Sequence, residues 1–280
     1  MSGLLRSIAR GYVRHSPLEK GKYHLVQAMR RIAPQEKMVS RIAGRFLMEL
    51  DLSEFLQGNL YYYGYYEPDL TEFIEKTIRP DDVMVDVGAN IGTFSLLAAS
   101  LGATCYAFEA SPDNCSALRR NITLNQFTSI HVYECALSDH RGETTFYLYE
   151  EPGMKNTCGQ NALFRRGAGR EMKVPLETLD LALKDVPRVD FIKSDVEGAD
   201  FLVLRGAREI LEKHHPTLVI EAAEELASNL GGSIAEILGI LWEHGYDISR
   251  LTRSGLQPIA KSDPPFAFAT LIARFSPPAT

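Results

Sequence analysis

Cysteine is sparse and scattered in this 280-residue chain: Cys105, Cys115, Cys135 and Cys158 form neither a CxxC pair nor a metal-ligand spacing. That argues against a disulfide framework or a thiolate metal site and predicts free thiols in a reducing compartment. No uncharged apolar run approaches the roughly 20 residues needed to cross a bilayer, so no membrane-spanning helix is expected. In MSGLLRSIARGYVRH the apolar segment between arginines is too short for a signal-peptide core, and no small-residue cleavage site follows. The expectation is a cytoplasmic protein. Repeats and low-complexity stretches are also missing, and with 45% hydrophobic residues the chain can bury one full-sized core.

Charge is distributed unevenly. The net charge is -6, yet residues 1–45 hold ten Lys/Arg against Glu19 and Glu36, so the remainder is strongly acidic. Leu4, Leu5, Ile8 and Tyr12 recur at helical spacing while Arg6, Arg10 and Arg14 form a stripe four residues apart. This basic amphipathic helix can dock on the main domain or on a second copy, or its basic face can meet an anionic membrane or phosphorylated carrier. Residues 1–60 are therefore read as a basic helical N-terminal arm and 61–280 as the main domain.

From residue 80 the chain alternates short β-type runs with amphipathic stretches. Strands are expected at 83–88, 103–110, 130–139, 189–198 and 217–222, with YDISRL and FAFATLIAR last. One long helix, GADFLVLRGAREILEKHH, fills the gap between the fourth and fifth. Ser111 before Pro112, and Ser233 three residues before Glu236, are helix-start signals. Such alternation predicts a parallel sheet covered on both faces, with ligands at the carboxyl ends of its strands. Residues 140–188 break the pattern and read as two β segments flanking a long loop.

Asp86-Val87-Gly88-Ala89-Asn90-Ile91-Gly92 sits where the first strand feeds a helix, a place suited to holding a nucleotide-like ligand against bare backbone. Glu109 ends the second strand, 21 residues after Gly88, where an acid can accept hydrogen bonds from ribose hydroxyls. The dinucleotide fingerprint G-x-G-x-x-G is absent, because the spacing here is Gly88-x-x-x-Gly92. This disfavours an NAD-type oxidoreductase.

With DVGANIG, FEASPDNCSALRRNITLN and IKSDVEGADFLVLRGA in that order, the chain resembles the FkbM family of S-adenosylmethionine-dependent methyltransferases over roughly residues 55–222. The resemblance implies an α/β, class I methyltransferase (Rossmann-like) fold: a seven-stranded, mostly parallel sheet with an antiparallel last strand. It also implies methyl transfer to a hydroxyl of a sugar, glycolipid or secondary metabolite. By position, Gly88 and Gly92 would line the methionine part of S-adenosylmethionine with Asp86 and Asn90 around it, Glu109 would hold the ribose, and Ser138 and Asp139 would reach the adenine. A non-catalytic module of the same fold is the alternative outside enzymes. A nucleic-acid methyltransferase is disfavoured by the acidic main domain.

Lys193, Asp195 and Glu197 alternate at the end of the fourth strand, where three charges on a mostly buried segment are costly without partners. An aliphatic hydroxyl is a poor nucleophile while protonated, so Asp195 is expected to act as base or to orient the acceptor, with Glu197 second and Lys193 tuning both. Asp195 and Glu221 could face one another and share Mg²⁺, but a third ligand is lacking and no metal is expected. NLYYYGYYEPDL gathers five tyrosines around Gly64; they suit sugar stacking or cofactor cover, or else pack the arm onto the sheet. Tyr66 and Glu67 are the acceptor-side candidates there. The polar loop 155–161, with Asn156, is either an acceptor lid or a disordered excursion. His214 and His215 read as helix-end capping.

Overall fold

The computed structural model describes residues 2–18, 20–32, 37–149, 162–164 and 169–277. Helices α1 (Ser2–His15) and α2 (Lys22–Ile32) lead into a hairpin of β1 (Lys37–Ile42) and β2 (Phe46–Asp51), followed by α3 (Phe55–Tyr63) and α4 (Pro68–Thr77). The hairpin is an addition to the expected helical arm. Its turn is Ala43–Gly44, both at positive φ, as tight hairpin turns require. Its outer strand β2 is satisfied by asparagine side chains: Asn121 accepts from the Glu49 amide at 2.8 Å, and Asn125 both accepts from and donates to the Leu47 backbone at 2.7 Å. Buried residues of this region, including Val26, Phe46 and Met48, share one core with Met84, Leu96 and Leu97 of the sheet layer.

The alternating part begins with β3 (Val83–Val87), α5 (Thr93–Ser100), β4 (Thr104–Glu109), α6 (Pro112–Asn125) and β5 (Ile130–Glu134). Next come β6 (Ala136–Leu137), β7 (Gly142–Tyr149), β8 (Gly169–Glu177), α7 (Leu179–Ala182) and β9 (Phe191–Ser194). The chain closes with α8 (Asp200–Arg205), α9 (Arg208–His214), β10 (Thr217–Ala223), α10 (Glu224–Ser228), α11 (Ile234–Glu243), β11 (Tyr246–Thr252), β12 (Gly255–Pro258) and β13 (Phe268–Phe275). Ser111 and Ser233 cap α6 and α11 as expected, each accepting an amide three residues on.

The main sheet has the order β12-β11-β13-β10-β9-β3-β4-β5. Pairing is parallel from β10 through β5, and β13 inserts antiparallel between β10 and β11. The expected seven strands are therefore present, and β12 adds an eighth by folding back on β11. One face buries Met84, Phe191 and Val219 against the α5 layer, and the other buries Val85, Ile192 and Ile220 against the layer of Phe201, Ile237 and Leu241. This is the doubly covered α/β sheet that the alternation demanded.

Two expected elements are each broken in two. The third strand stops at Glu134, and after Cys135 the chain leaves the sheet so that β6 pairs with β8 in a separate three-stranded sheet, β6-β8-β7. The two β segments expected in 140–188 are β7 and β8 of that sheet. The long helix bends at Gly206–Ala207, where Gly206 passes directly against the Ser138 carbonyl, leaving no room for a side chain. Among the described residues no helix is long and apolar enough to cross a membrane.

Candidate functional site

At the carboxyl ends of β3, β4, β9 and β10 lies a cleft of about 990 Å³, its open mouth included. Val87–Asn90 floor it, Phe108–Ala110 and Cys135–Leu137 form one wall, and Lys193, Asp195–Glu197 and Glu221 form the other; Tyr66 and Leu56 come from the α3–α4 segment.

The wall at β4 is organised by Glu109. Its Oε2 accepts the Asn90 amide at 2.8 Å, and its Oε1 accepts the Ser111 amide at 2.8 Å and Asn114 Nδ2 at 3.3 Å. Burial raises the carboxyl above the usual range, opposed by these same hydrogen bonds. Three of roughly four acceptor sites on the carboxylate are thus filled by the protein, leaving capacity for one donor from a ligand. Around it, Phe108, Leu137, Phe146 and Leu163 supply apolar wall.

The opposite wall is electrostatic. Lys193 is fully buried, with its Nζ 3.5 Å from Asp195 and 3.6 Å from Asp86, and it donates to the Gly88 carbonyl at 3.3 Å. Burial pulls its pKa down, but Asp195 first, then Asp86, Glu67 and Glu221 outweigh that and hold it above the ordinary lysine value. Because Ile220 pairs with Ser194 in register, Glu221 follows beside Asp195. Burial, then Asp195, Glu67 and Glu197, push the Glu221 carboxyl up to about 9, so it carries a proton at neutral pH. Glu67, at φ 44 on the N-terminal side of α4, is raised by burial and then by Asp195. Glu197 also takes a left-handed backbone, φ 54, an unusual conformation for a non-glycine residue and one that turns the chain back at the cleft.

The expected site residues divide as follows. Gly88, Asn90, Glu109, Lys193, Asp195, Glu197 and Tyr66 line the cleft together. Glu67, next to Tyr66 in the chain, is outside the lining, and its carboxyl is raised by burial and by Asp195. Asn156 lies outside the described residues. Asp86 is buried away from the lining, accepting from Ser95 Oγ at 2.6 Å and facing Lys193, and so it supports the site from beneath. Gly92 meets Leu118 of α6, so its missing side chain serves helix packing. Ser138 and Asp139 are turned from the cleft: the Ser138 amide bonds to the Glu177 carbonyl, and Asp139 pairs with His140 at 2.7 Å and Arg205 at 3.5 Å. The cleft residues beyond the third strand are instead Cys135–Leu137, because the strand breaks there. Phe146 of β7 and Leu163 escape the sequence reading because nothing local says that the β segments expected in 140–188 pack beside the cleft. Among the described residues no group of three His, Cys, Asp or Glu side chains is arranged to hold a metal.

Comparison with known families decides what this arrangement belongs to: the model described as "Methyltransferase FkbM domain" matches residues 86–248, more than half of the chain. The chain belongs to the FkbM methyltransferase family. The match runs from Asp86 into β11 and takes in both walls of the cleft. Among curated proteins this FkbM-family chain is similar to "Methyltransferase 1" of Beauveria bassiana, 30% identical over 54% of this chain and 68% of the relative. It is also similar to "31-O-demethyl-FK506 methyltransferase FkbM" of Streptomyces tacrolimicus, 26% identical over 68% of this chain and 78% of the relative. "Hexuronic acid methyltransferase AglP" of Haloferax volcanii is 30% identical over 52% of this chain and 58% of the relative.

Proposed function

We propose that this FkbM-family chain is an S-adenosylmethionine-dependent O-methyltransferase acting on a hydroxyl of a sugar, glycolipid or secondary metabolite. The observation that carries the reading is the division of one cleft into a carboxylate-and-apolar wall at Glu109 and an acid–lysine wall at Asp195. β4 and β9, whose ends carry Glu109 and Asp195, are separated by β3 alone, so the two walls stand about 10 Å apart at ordinary strand spacing, with Glu221 of β10 one strand farther out. The relatives' names support the acceptor class, since one refers to a hexuronic acid and another to 31-O-demethyl-FK506.

The residues present fit the cofactor. Glu109 retains capacity for one ribose hydroxyl, Gly88–Asn90 line the floor, and among the described lining residues Glu109, Asp195 and Glu197, beside the protonated Glu221, face Lys193 as the one cation, an excess of acid complementary to a cationic ligand. Glu109, Asn90 and Gly88 would hold it, with Phe108, Leu137 and Phe146 against its base. When bound, S-adenosylmethionine supplies an electrophilic methyl group on a sulfonium.

Asp195 accepts the proton of the acceptor hydroxyl, and Lys193 fixes the Asp195 carboxylate by its ion pair. Glu221, protonated, donates a hydrogen bond into the same pocket rather than competing for the proton. Tyr66 stays protonated, its pKa raised first by burial and then by Glu67, Asp195 and Glu221, and it covers the acceptor side together with Phe94, whose ring centroid is 6.0 Å away. Alignment of the reacting atoms then accounts for most of the rate.

Calorimetric titration with S-adenosylmethionine, S-adenosylhomocysteine and NAD tests the cofactor, followed by a screen for methyl transfer to glycosides and hydroxylated metabolites. Binding of both adenosyl sulfur compounds without NAD, and product formed on oxygen, is the expected result. Binding of NAD alone, or transfer to nitrogen or carbon, would overturn it.

A further inference from the structure

Helix α1 is docked with the wrong stripe outward. Its basic residues face the protein: Arg6 is only 5% exposed, and Arg10 lies over the Tyr61 ring with its guanidinium carbon 4.9 Å from the centroid. Arg14 donates to the Tyr61 carbonyl at 2.8 Å, the Tyr62 carbonyl at 3.3 Å, Ser40 Oγ at 3.0 Å and the Arg41 carbonyl at 3.2 Å. The first two are carbonyls at the C-terminal end of α3, where the helix dipole favours a cation. Burial, then Arg10, lowers the Arg14 pKa to about 10, still well above neutrality. The consequence is that Leu4, Leu5, Ile8 and Tyr12 are left 71%, 49%, 61% and 41% exposed on one face, with Leu18 and Tyr23 exposed just beyond it.

We propose that this outward face of α1 seats in the interface of an anionic lipid bilayer. Charge is the first argument. α1 and α2 contain no Asp or Glu, and Glu19 is the sole acid between residues 2 and 32, against Arg6, Arg10, Arg14, Lys20, Lys22, Arg30 and Arg31. A helix is about 10–12 Å across. The Debye length at physiological ionic strength is about 8 Å. The arginines therefore lie somewhat more than one Debye length from the apolar side, but across the helix rather than through salt solution, where screening is weaker, so their field reaches that surface reduced but present. Arg14 is satisfied by neutral oxygens, so its charge is kept rather than cancelled. Size is the second argument. A stable protein interface takes about 20–30 residues a side. Half a dozen apolar side chains on α1, the turn after it and the first turn of α2 fall short of that. They do match an amphipathic helix lying at the headgroup boundary, buried to about 5–10 Å. The difference from the sequence expectation is which face makes contact: the apolar stripe enters the lipid, while the arginines hold the helix to the protein and supply the field.

The test is co-sedimentation of the full chain with phosphatidylglycerol vesicles and with phosphatidylcholine vesicles, alongside the double variant Leu4→Ser/Ile8→Ser and sedimentation velocity without lipid. Both substituted residues are solvent-exposed, so folding is checked simply by an unchanged thermal melt. Wild type should partition at least tenfold more onto phosphatidylglycerol, with weakening by salt, and the double variant should lose at least tenfold of that partitioning. Equal partitioning of variant and wild type, or no partitioning at all, would overturn the proposal. So would a dimer in sedimentation velocity that the variant abolishes, which would assign the face to a second copy. The readout needs neither cofactor nor acceptor, so it is independent of the methyl-transfer reading.

Discussion

Gly88 and Asp195 meet backbone to backbone: a Cβ built on Gly88 would fall well inside contact distance of the Asp195 carbonyl oxygen. The glycine turn after β3 and the acidic turn after β9 are therefore one packed unit, and the missing side chain is demanded by the neighbouring strand end. Besides flooring the cleft, Gly88 is thus held against a neighbouring strand end. Gly88 also sits at φ +74. Gly88→Ala should cost about 1–2 kcal/mol for the left-handed backbone and about 1–3 kcal/mol for the clash, and it should displace Asp195 as well as the floor of the cleft. Urea unfolding and turnover measured together check this. Full stability with lost cofactor binding would restore the simpler ligand-only account.

Glu109 makes a second prediction. Glu109→Ala removes the acceptor for the Asn90 and Ser111 amides, of which Ser111 is buried, and each donor stranded away from water costs about 1–3 kcal/mol. The protein should lose stability, and S-adenosylmethionine affinity should fall by more than about tenfold, since one 1.4 kcal/mol interaction is tenfold. Calorimetric titration alongside unfolding separates the two. Unchanged affinity in a destabilised variant would confine Glu109 to holding the loop.

What was legible in the sequence depended on how local the cause was. VMVDV is a buried strand by its own composition, and Ser111-Pro112 or Ser233 with Glu236 start helices through groups within one turn. The break at Cys135 is set by β8, some forty residues on, and the bend at Gly206 by the Ser138 carbonyl, so neither has a nearby signal. The β1–β2 hairpin leaves one, the Gly44-containing turn between KMVSRI and FLMELD, which the helical reading of the arm overrides. Amphipathicity identified both stripes of α1 but not which faces inward, because that is decided by α3 carbonyls 47 and 48 residues away. At the site, the sequence placed Asp195, Lys193 and Glu109 because they end strands. Asp86, Gly92, Ser138 and Asp139 do not line the cleft, because a residue's place near a strand end does not say toward which neighbour it turns.

Asp195→Asn should lower turnover by about 10²–10⁴-fold with cofactor affinity intact, the usual range for losing a positioned base. Unchanged turnover would remove Asp195 from that role.

Glu221 supplies the pH test of the same pocket. With its carboxyl pushed up to about 9, wild type should lose activity as pH rises through 9, when a second carboxylate forms beside Asp195. Glu221→Gln imitates the protonated form, so at pH 7 it should stay near wild type and its alkaline limb should be absent. A pH–rate profile of both proteins decides it. A large loss in Glu221→Gln at pH 7 with the limb unmoved would show that the carboxylate form is the one used.

Asp200 sits directly behind this wall and links the site to stability. It is fully buried, accepts from Ser194 Oγ at 2.6 Å through Oδ1, and its Oδ2 has no hydrogen-bond partner among the described residues. Burial first, and then Asp195, raise its carboxyl to about 7 against the opposing Ser194 bond. An unfolded aspartate titrates near 3.9. Between about pH 4 and 7 the folded chain thus holds a proton that the unfolded chain has released. Stability from this group is complete below about pH 4 and declines as pH rises through 7, with a slope of at most about 1.4 kcal/mol per pH unit. Asp200→Asn keeps an acceptor for Ser194 and cannot ionise, so its unfolding free energy should be flatter across that window. Urea unfolding of both proteins at pH 5, 6, 7 and 8 measures the difference. Parallel curves would mean that Asp200 is ionised in the fold, with water reaching its second oxygen.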